Sequence, residues 1–155
     1  MLGDSRLVEE TSKAFKKDKK LVKGIAFPTC ISVNNVVCHY SPLAADPDTV
    51  LADGDLVKID LGAHIDGFIA VVGHSLVVGA SSESQVSGRR ADVMMAAHLA
   101  SEAALRSFRP GNNNMQLTDK IVRIARDFGC RVRCVTRWIW SVTLSLSAGG
   151  EVEVL

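Results

Sequence analysis

The sequence predicts an α+β fold, an antiparallel sheet with helices on one face, and three observations carry that reading. Helical periodicity is confined to the first fifteen residues and to the region after Arg89. Between Gly24 and Gly79, short β-branched runs are punctuated by Asn-Asn and Asp-Gly pairs, the residues that tolerate the left-handed backbone of tight turns. A chain of 155 residues that is 47% hydrophobic has material for one core. Strands followed by helices, rather than alternating with them, favour helices laid over an antiparallel sheet.

Taken in order, the opening segment can start a helix at Asp4 or Ser5, with Glu9 and Glu10 near its positive end and Leu7, Thr11, Ala14 and Phe15 as an inward stripe. "GIAFPTCISVNNVVCHYSP" then reads as short strand, turn, short strand. "LADGDLVKIDLG" enters a strand through an Asp-Gly turn, with Val57, Ile59 and Leu61 on one face and Leu56, Lys58 and Asp60 on the other. The chain turns back near Ile65-Asp66-Gly67, and "FIAVVGHSLVVG" is apolar enough to be buried on both faces, a hairpin in the middle of a sheet. A long helix stopped by Pro110 and Gly111 is expected, with Val93, Ala97, Ala100, Ala104 and Leu105 inward. A third helix follows Thr118, with Ile121, Ile124, Ala125 and Phe128 inward and Gly129 as its stop. Beyond Cys130 the composition shifts, and Trp138 to Leu146 alternates weakly enough to pair as a strand.

Charge excludes little globally. Eighteen Lys and Arg against seventeen Asp and Glu leave +1, which marks neither a nucleic-acid binder nor an acidic-surface protein. No stretch reads as a signal peptide or a membrane span, so no membrane insertion is expected. The four cysteines lack CxxC pairs and read as free thiols. Locally, Lys13, Lys16, Lys17, Lys19, Lys20 and Lys23 fall within eleven positions. Such a cluster either contacts phosphates or is the solvated end of a helix, where cations meet the negative pole of the dipole.

The hairpin raises the question of a metal site. With its turn centred between Ile65 and Asp66, residue 60 lies across from residue 71, give or take one, and two carboxylates there could hold ions that activate water. Residue 71 is Val, and Val72 and Gly73 beside it offer no ligand. Asp60 is then either a vestige of such a site or a surface aspartate near Lys58. His39, after a two-valine run and before a proline turn, suits a general acid at a strand end or a surface histidine. His64 is expected to face solvent, and His74 and His98 to pack in the core. Phosphate-cradling loops, nucleophile elbows and HExxH are absent from the sequence.

The motifs "KGIAFPT", "ISVNN", "GDLVKIDLG", "DGFIA" and "RPGN", in that order, resemble the methionine aminopeptidase superfamily with its pita-bread fold. "FKKDKKLVKGIAFPT" is similar to its non-peptidase branch, the proliferation-associated or ErbB-receptor-binding proteins. The resemblance covers residues 8 to 130 and implies that residues 1–130 form the N-terminal half of a pita-bread domain, with 131–155 a divergent tail of frame-shifted or alternatively spliced origin. It implies that Asp60 matches the first metal-ligand aspartate, His39 the substrate-contacting histidine and Val71 the second ligand aspartate. The other ligands, a histidine and two glutamates, belong to the second half of the fold. The expectation is a non-catalytic aminopeptidase-like protein without metal or cofactor, with His39, Asp60 and Val71 vestigial. The branch implies RNA or ribosome association through the lysine cluster, protein partners, growth-linked regulation of transcription and translation, and a cytoplasmic and nuclear or nucleolar location. The alternative is a metal-dependent methionine aminopeptidase fragment. Half of such a fold leaves its inner face uncovered, so poor stability of the isolated chain is expected as well.

Overall fold

The computed structural model describes residues 2–132. Their order is α1 (Leu2–Lys13), β1 (Lys23–Val33), β2 (Leu56–Ile65), β3 (Phe68–Val77), α2 (Arg89–Ser107) and α3 (Asn114–Asp127). The three strands form one antiparallel sheet in the order β1-β2-β3, α1 lies against β1 and β2, and α2 and α3 pack on each other. The expected α+β fold is the observed one. The strand expected in the tail, between Trp138 and Leu146, lies outside the described residues.

β1 is a single long strand, and it holds Pro28 because the register shifts there. Pairing with β2 slips between Phe27 and Cys30, so the missing proline N–H costs no ladder bond. The second short strand expected after the Asn34-Asn35 turn does not form. Residues 34–40 instead run back along the free edge of β1, where Ile31 N donates to Tyr40 O at 2.8 Å and Tyr40 N donates to Ser32 Oγ at 3.3 Å. That return covers an edge that would otherwise be an open template.

Asn34 fastens the far end of β1 to the near end of β2. Its backbone is left-handed (φ 52°), a conformation Asn tolerates better than most residues. All four of its polar groups are engaged: N donates to Leu56 O (2.8 Å), Oδ1 accepts from Leu56 N (3.0 Å), Nδ2 donates to Asp55 Oδ1 (2.8 Å), and O accepts from Lys58 Nζ (2.7 Å). Leu56 and Val57, which enter β2 beside it, are fully buried.

The β2–β3 connection is a two-residue turn with Asp66 at φ 52° and Gly67 at φ 83°, and Ile65 pairs with Phe68. Its centre lies between Asp66 and Gly67, one residue later than expected, so Asp60 pairs with Gly73 and Val71 pairs with Gly62. β3 is an edge strand and not a buried central one, because no further strand pairs beyond it among the described residues. Phe68 is 83% exposed, and Ile69 and Val72 are exposed as well. The two histidines expected in the core, His74 on β3 and His98 on α2, are both exposed. His64 is half-buried, with Gly67 N approaching its Nδ1 at 3.5 Å.

α1 begins before the expected caps. Asp4 sits in its first turn and accepts from Thr29 N (2.8 Å) and Thr29 Oγ1 (2.7 Å), tying the helix to β1. Those two bonds hold its carboxyl below the usual aspartate range. Of the expected stripe, Thr11 is buried and Leu7 and Ala14 half-buried, whereas Phe15 lies beyond the helix end at φ 46° and is exposed. In α2 the buried positions are Val93, Ala96, Ala100, Ala104 and Ser107; Ala97 is at the margin and Leu105 is exposed, so the inward face is rotated from the one expected. Small residues at that face let α3 approach with Leu117, Ile121 and Ala125. α3 starts at Asn114, earlier than expected, because Asn113 Oδ1 caps Gln116 N at 3.0 Å and leaves Thr118 inside the helix. It ends at Gly129 (φ 62°), where Gly129 N bonds Arg126 O and Cys130 N bonds Ala125 O, the paired pattern of a glycine-terminated helix. Arg89 from α2 caps the same end through Phe128 O and Gly129 O, both at 2.9 Å.

Two outcomes are expected. Asn34→Ala should cost about 2–4 kcal/mol, since it removes two side-chain bonds, one to a carboxylate, and leaves alanine at positive φ; urea titration in a stabilising osmolyte measures this. The exposed apolar flank of β3 should make the isolated chain bind a hydrophobic dye without a sharp thermal transition. A cooperative melt with well-dispersed amide resonances would contradict the second expectation.

Candidate functional site

Alternation along β1 and β2 sorts the sheet into two faces. The pairs Val33–Val57 and Ile31–Ile59 share one face, and Ser32–Lys58 and Cys30–Asp60 share the other. On the second face the row through Asp60 runs Cys30, Asp60, Gly73, and the row beside it places Val71 against Gly62. Val71 is therefore diagonal to Asp60 rather than opposite it, on the same face and 39% exposed. A Cβ on Gly62 would stand 2.5 Å from Phe27 Cε1 and 3.2 Å from Val71 Cγ1, so the glycine leaves room for two apolar side chains to lie across the strand.

The sequence pointed to β3 for the partner of Asp60, but the group facing it comes from β1. One donor atom each of Cys30, His39 and Asp60 lies within 4.8 Å of the others. Cys30 is buried, Asp60 half-buried and His39 exposed. His39 holds φ 59°, and the two bonds of its neighbour Tyr40 to Ile31 and Ser32 pin it there. Cys30 was read only as a free thiol, because no local signal reveals a contact made across thirty residues by strand pairing.

This trio has the composition of a thiol-histidine-carboxylate catalytic set, and its electrostatics oppose that use. Burial, followed by the negative charge of Asp60, pushes the Cys30 thiol up to about 11, so it is protonated at neutral pH and donates to Pro28 O at 3.3 Å. Burial and Asp60 also raise the Cys38 thiol. A nucleophilic cysteine needs the opposite shift.

The two-ion site implied by the family resemblance does not fit these residues. Asp60 is in place, but the diagonal position that must supply a second carboxylate carries the apolar Val71, and no other acidic residue joins the cluster among the described residues.

Lys58 lies on the same face, 4% exposed, with Nζ on Asn34 O. Burial lowers it to about 8, well below an ordinary lysine. Between about pH 8 and 10.5 the unfolded chain therefore binds a proton at Lys58 that the folded chain has released, and the Lys58 contribution to stability rises with pH, opposed above about pH 9 by the raised Cys30 thiol.

The lysine cluster divides. Lys13 bonds Glu9 (2.7 Å) and Glu10 (2.9 Å), partners that raise its pKa in that order. Lys23 Nζ caps the end of α1 through Ala14 O at 2.7 Å. Lys16, Lys17, Lys19 and Lys20 are exposed in the turn that follows α1, with no side-chain partner among the described residues. No helix among the described residues is long and apolar enough to cross a membrane.

The profile of "Metallopeptidase family M24" matches residues 4–150. ERBB-3 binding protein 1 of Arabidopsis thaliana is 52% identical over 131 residues, covering 84% of this chain and 32% of the relative. A curved DNA-binding protein of Schizosaccharomyces pombe is 48% identical, covering 83% of this chain and 33% of its own. The solved structure of a thermophilic Arx1 superposes with a TM-score of 0.73 at 27% identity, over 87% of this chain and 42% of that one. The chain thus spans about a third of the length of these curated relatives.

Urea midpoints should climb by about 1 kcal/mol between about pH 8 and 9 as the folded chain releases the Lys58 proton first, before the raised Cys30 thiol begins to oppose the gain above about pH 9. Lys58→Met should flatten that climb, whereas an equal climb in the variant would assign it to another group.

Proposed function

The chain belongs to metallopeptidase family M24, and within that family we propose that it is a non-catalytic, aminopeptidase-like protein that associates with RNA or the ribosome. The observation that carries the non-catalytic part is Val71, an apolar side chain diagonal to Asp60 where the peptidase chemistry needs a second carboxylate. His39, Asp60 and Val71 are then vestiges of an ancestral site. Residues 1–130 act as the first half of a pita-bread domain, and 131–155 as a divergent tail.

The lysine cluster supports the nucleic-acid part. Four ammonium groups project from one short turn, and the Schizosaccharomyces pombe relative carries nucleic-acid binding in its name. The likeness to an ErbB-3 binding protein supports protein partners, and the reading extends to growth-linked control of transcription and translation in the cytoplasm and the nucleus or nucleolus. Of the six lysines, Lys16, Lys17, Lys19 and Lys20 make the phosphate contacts. Lys13 and Lys23 hold α1 in shape, because their ammonium groups are already bonded.

Structured RNA binding should weaken steeply with salt, with a log-log slope near the number of phosphates neutralised. Changing Lys16, Lys17, Lys19 and Lys20 to Gln should reduce that slope by about 3–4, measured by filter binding over a salt series. Lys13→Gln should leave it nearly unchanged. An identical slope in the fourfold variant would return the cluster to a solvated helix end. A methionyl-peptide assay with cobalt or manganese should give no turnover, and turnover would make the chain an aminopeptidase fragment.

A further inference from the structure

Asp60 has lost the partner that a two-ion site requires, but the pairing of β1 with β2 has given it another. Cys30 and Asp60 are directly opposed across the two strands, and His39 is brought over both by the return of residues 34–40 along the edge of β1. One sulfur, one imidazole nitrogen and one carboxylate oxygen then converge within 4.8 Å. We propose that Cys30, His39 and Asp60 form a binding site for a single borderline-soft divalent cation, zinc in the first instance, with its fourth position open to water.

The donor chemistry selects the ion. A thiolate with an imidazole suits zinc far better than magnesium or calcium, which take oxygen ligands. Tetrahedral zinc has bonds of about 2.0–2.3 Å, which put its donors roughly 3.3–3.8 Å apart. All three donors lie within 4.8 Å of one another, so the widest gap exceeds that spacing by about an ångström at most. Charge balances as well: thiolate and carboxylate together neutralise the dication in a half-buried place, and the imidazole stays neutral. His39 is the exposed member, so an ion can arrive from solvent without opening the sheet.

Binding must remove the Cys30 proton, which goes to solvent as the S–Zn bond forms and the weak bond to Pro28 O is given up. The charged and titratable groups around that thiol are Asp60, His39, Cys38 and Asp4, and Lys58 lies on the same face near Cys38. Apparent affinity should therefore tighten about tenfold per pH unit from neutral pH upward, one proton being released per ion. This goes beyond the non-catalytic reading and is independent of it, since the readout is metal binding and not turnover.

The test is titration of the full chain with cobalt, zinc's spectroscopic stand-in. The expected result is saturation at one ion per chain, with intense visible bands of four-coordinate cobalt and a thiolate-to-cobalt charge-transfer band in the near ultraviolet. Zinc should displace the cobalt. Cys30→Ser should abolish the charge-transfer band even with Cys38 intact, and His39→Ala should weaken binding by about tenfold or more, as should His39→Asn, whose side chain tolerates the left-handed backbone at that position. Four results would overturn the proposal: no charge-transfer band in the unaltered chain, a band that survives Cys30→Ser, unchanged affinity in His39→Ala, or equal affinity for the chain unfolded in urea, where cysteine and histidine can bind metal without any fold.

Discussion

The geometry of the sheet depends on Asn34. Its side chain and backbone bond the same residue, Leu56, in both directions, so the end of β1 and the start of β2 are held in one register. Side chains alternate with a period of two, and a slip of one residue would send Asp60 to the opposite face from Cys30. The same asparagine turns the chain at positive φ onto the return path that delivers His39. Its carbonyl also receives the Lys58 ammonium, which gives a buried cation a bonding partner in an apolar setting. Asp55, which completes the network, is held below the usual aspartate range first by the backbone N–H of Ala52 and then by Asn34. It therefore contributes stability above its ordinary pKa, lost as pH falls through the lowered one.

Around this fixed corner the molecule is uneven. β1 is sheltered by α1 and by its own returning loop, and α2 and α3 enclose a small core of alanine, valine and isoleucine. β3 has neither shelter, and its apolar side chains face outward. That imbalance fits a chain spanning about a third of the length of its relatives. On the sheet Asp60 and His39 stand together, and the position diagonal to Asp60 holds the apolar Val71. The lysine cluster shows a comparable split between structure and surface. Lys13 and Lys23 complete the end of α1, and the four between them are exposed.

The Asp66-Gly67 hairpin and the Gly129 helix stop were legible because each is decided within a few residues, whereas the starts of α1 and α3 were misplaced. Asp66-Gly67 and Gly129 adopt the left-handed conformations their side chains permit, and the order of elements follows from them. Errors arose where a distant surface decides. β3 has the composition of a buried strand, and its exposure depends on what lies beyond its edge. His74 and His98 were assigned to the core by their apolar neighbours in sequence, but each side chain points to the open side of its element. The inward face of α2 was displaced because alanine is apolar at nearly every position, and only the approach of α3 distinguishes one alanine from the next.

The sequence by itself determined the fold class, the two tight turns, the family and the absence of a carboxylate at residue 71, since each is written in residue identity or local spacing. Only the tertiary structure decided what stands beside Asp60. A turn centred one residue later moved Val71 from opposite to diagonal, and the pairing of strands thirty residues apart put Cys30 in contact instead. Local chemistry fixes where a chain can bend. Register, which is a property of two segments together, fixes which side chains meet.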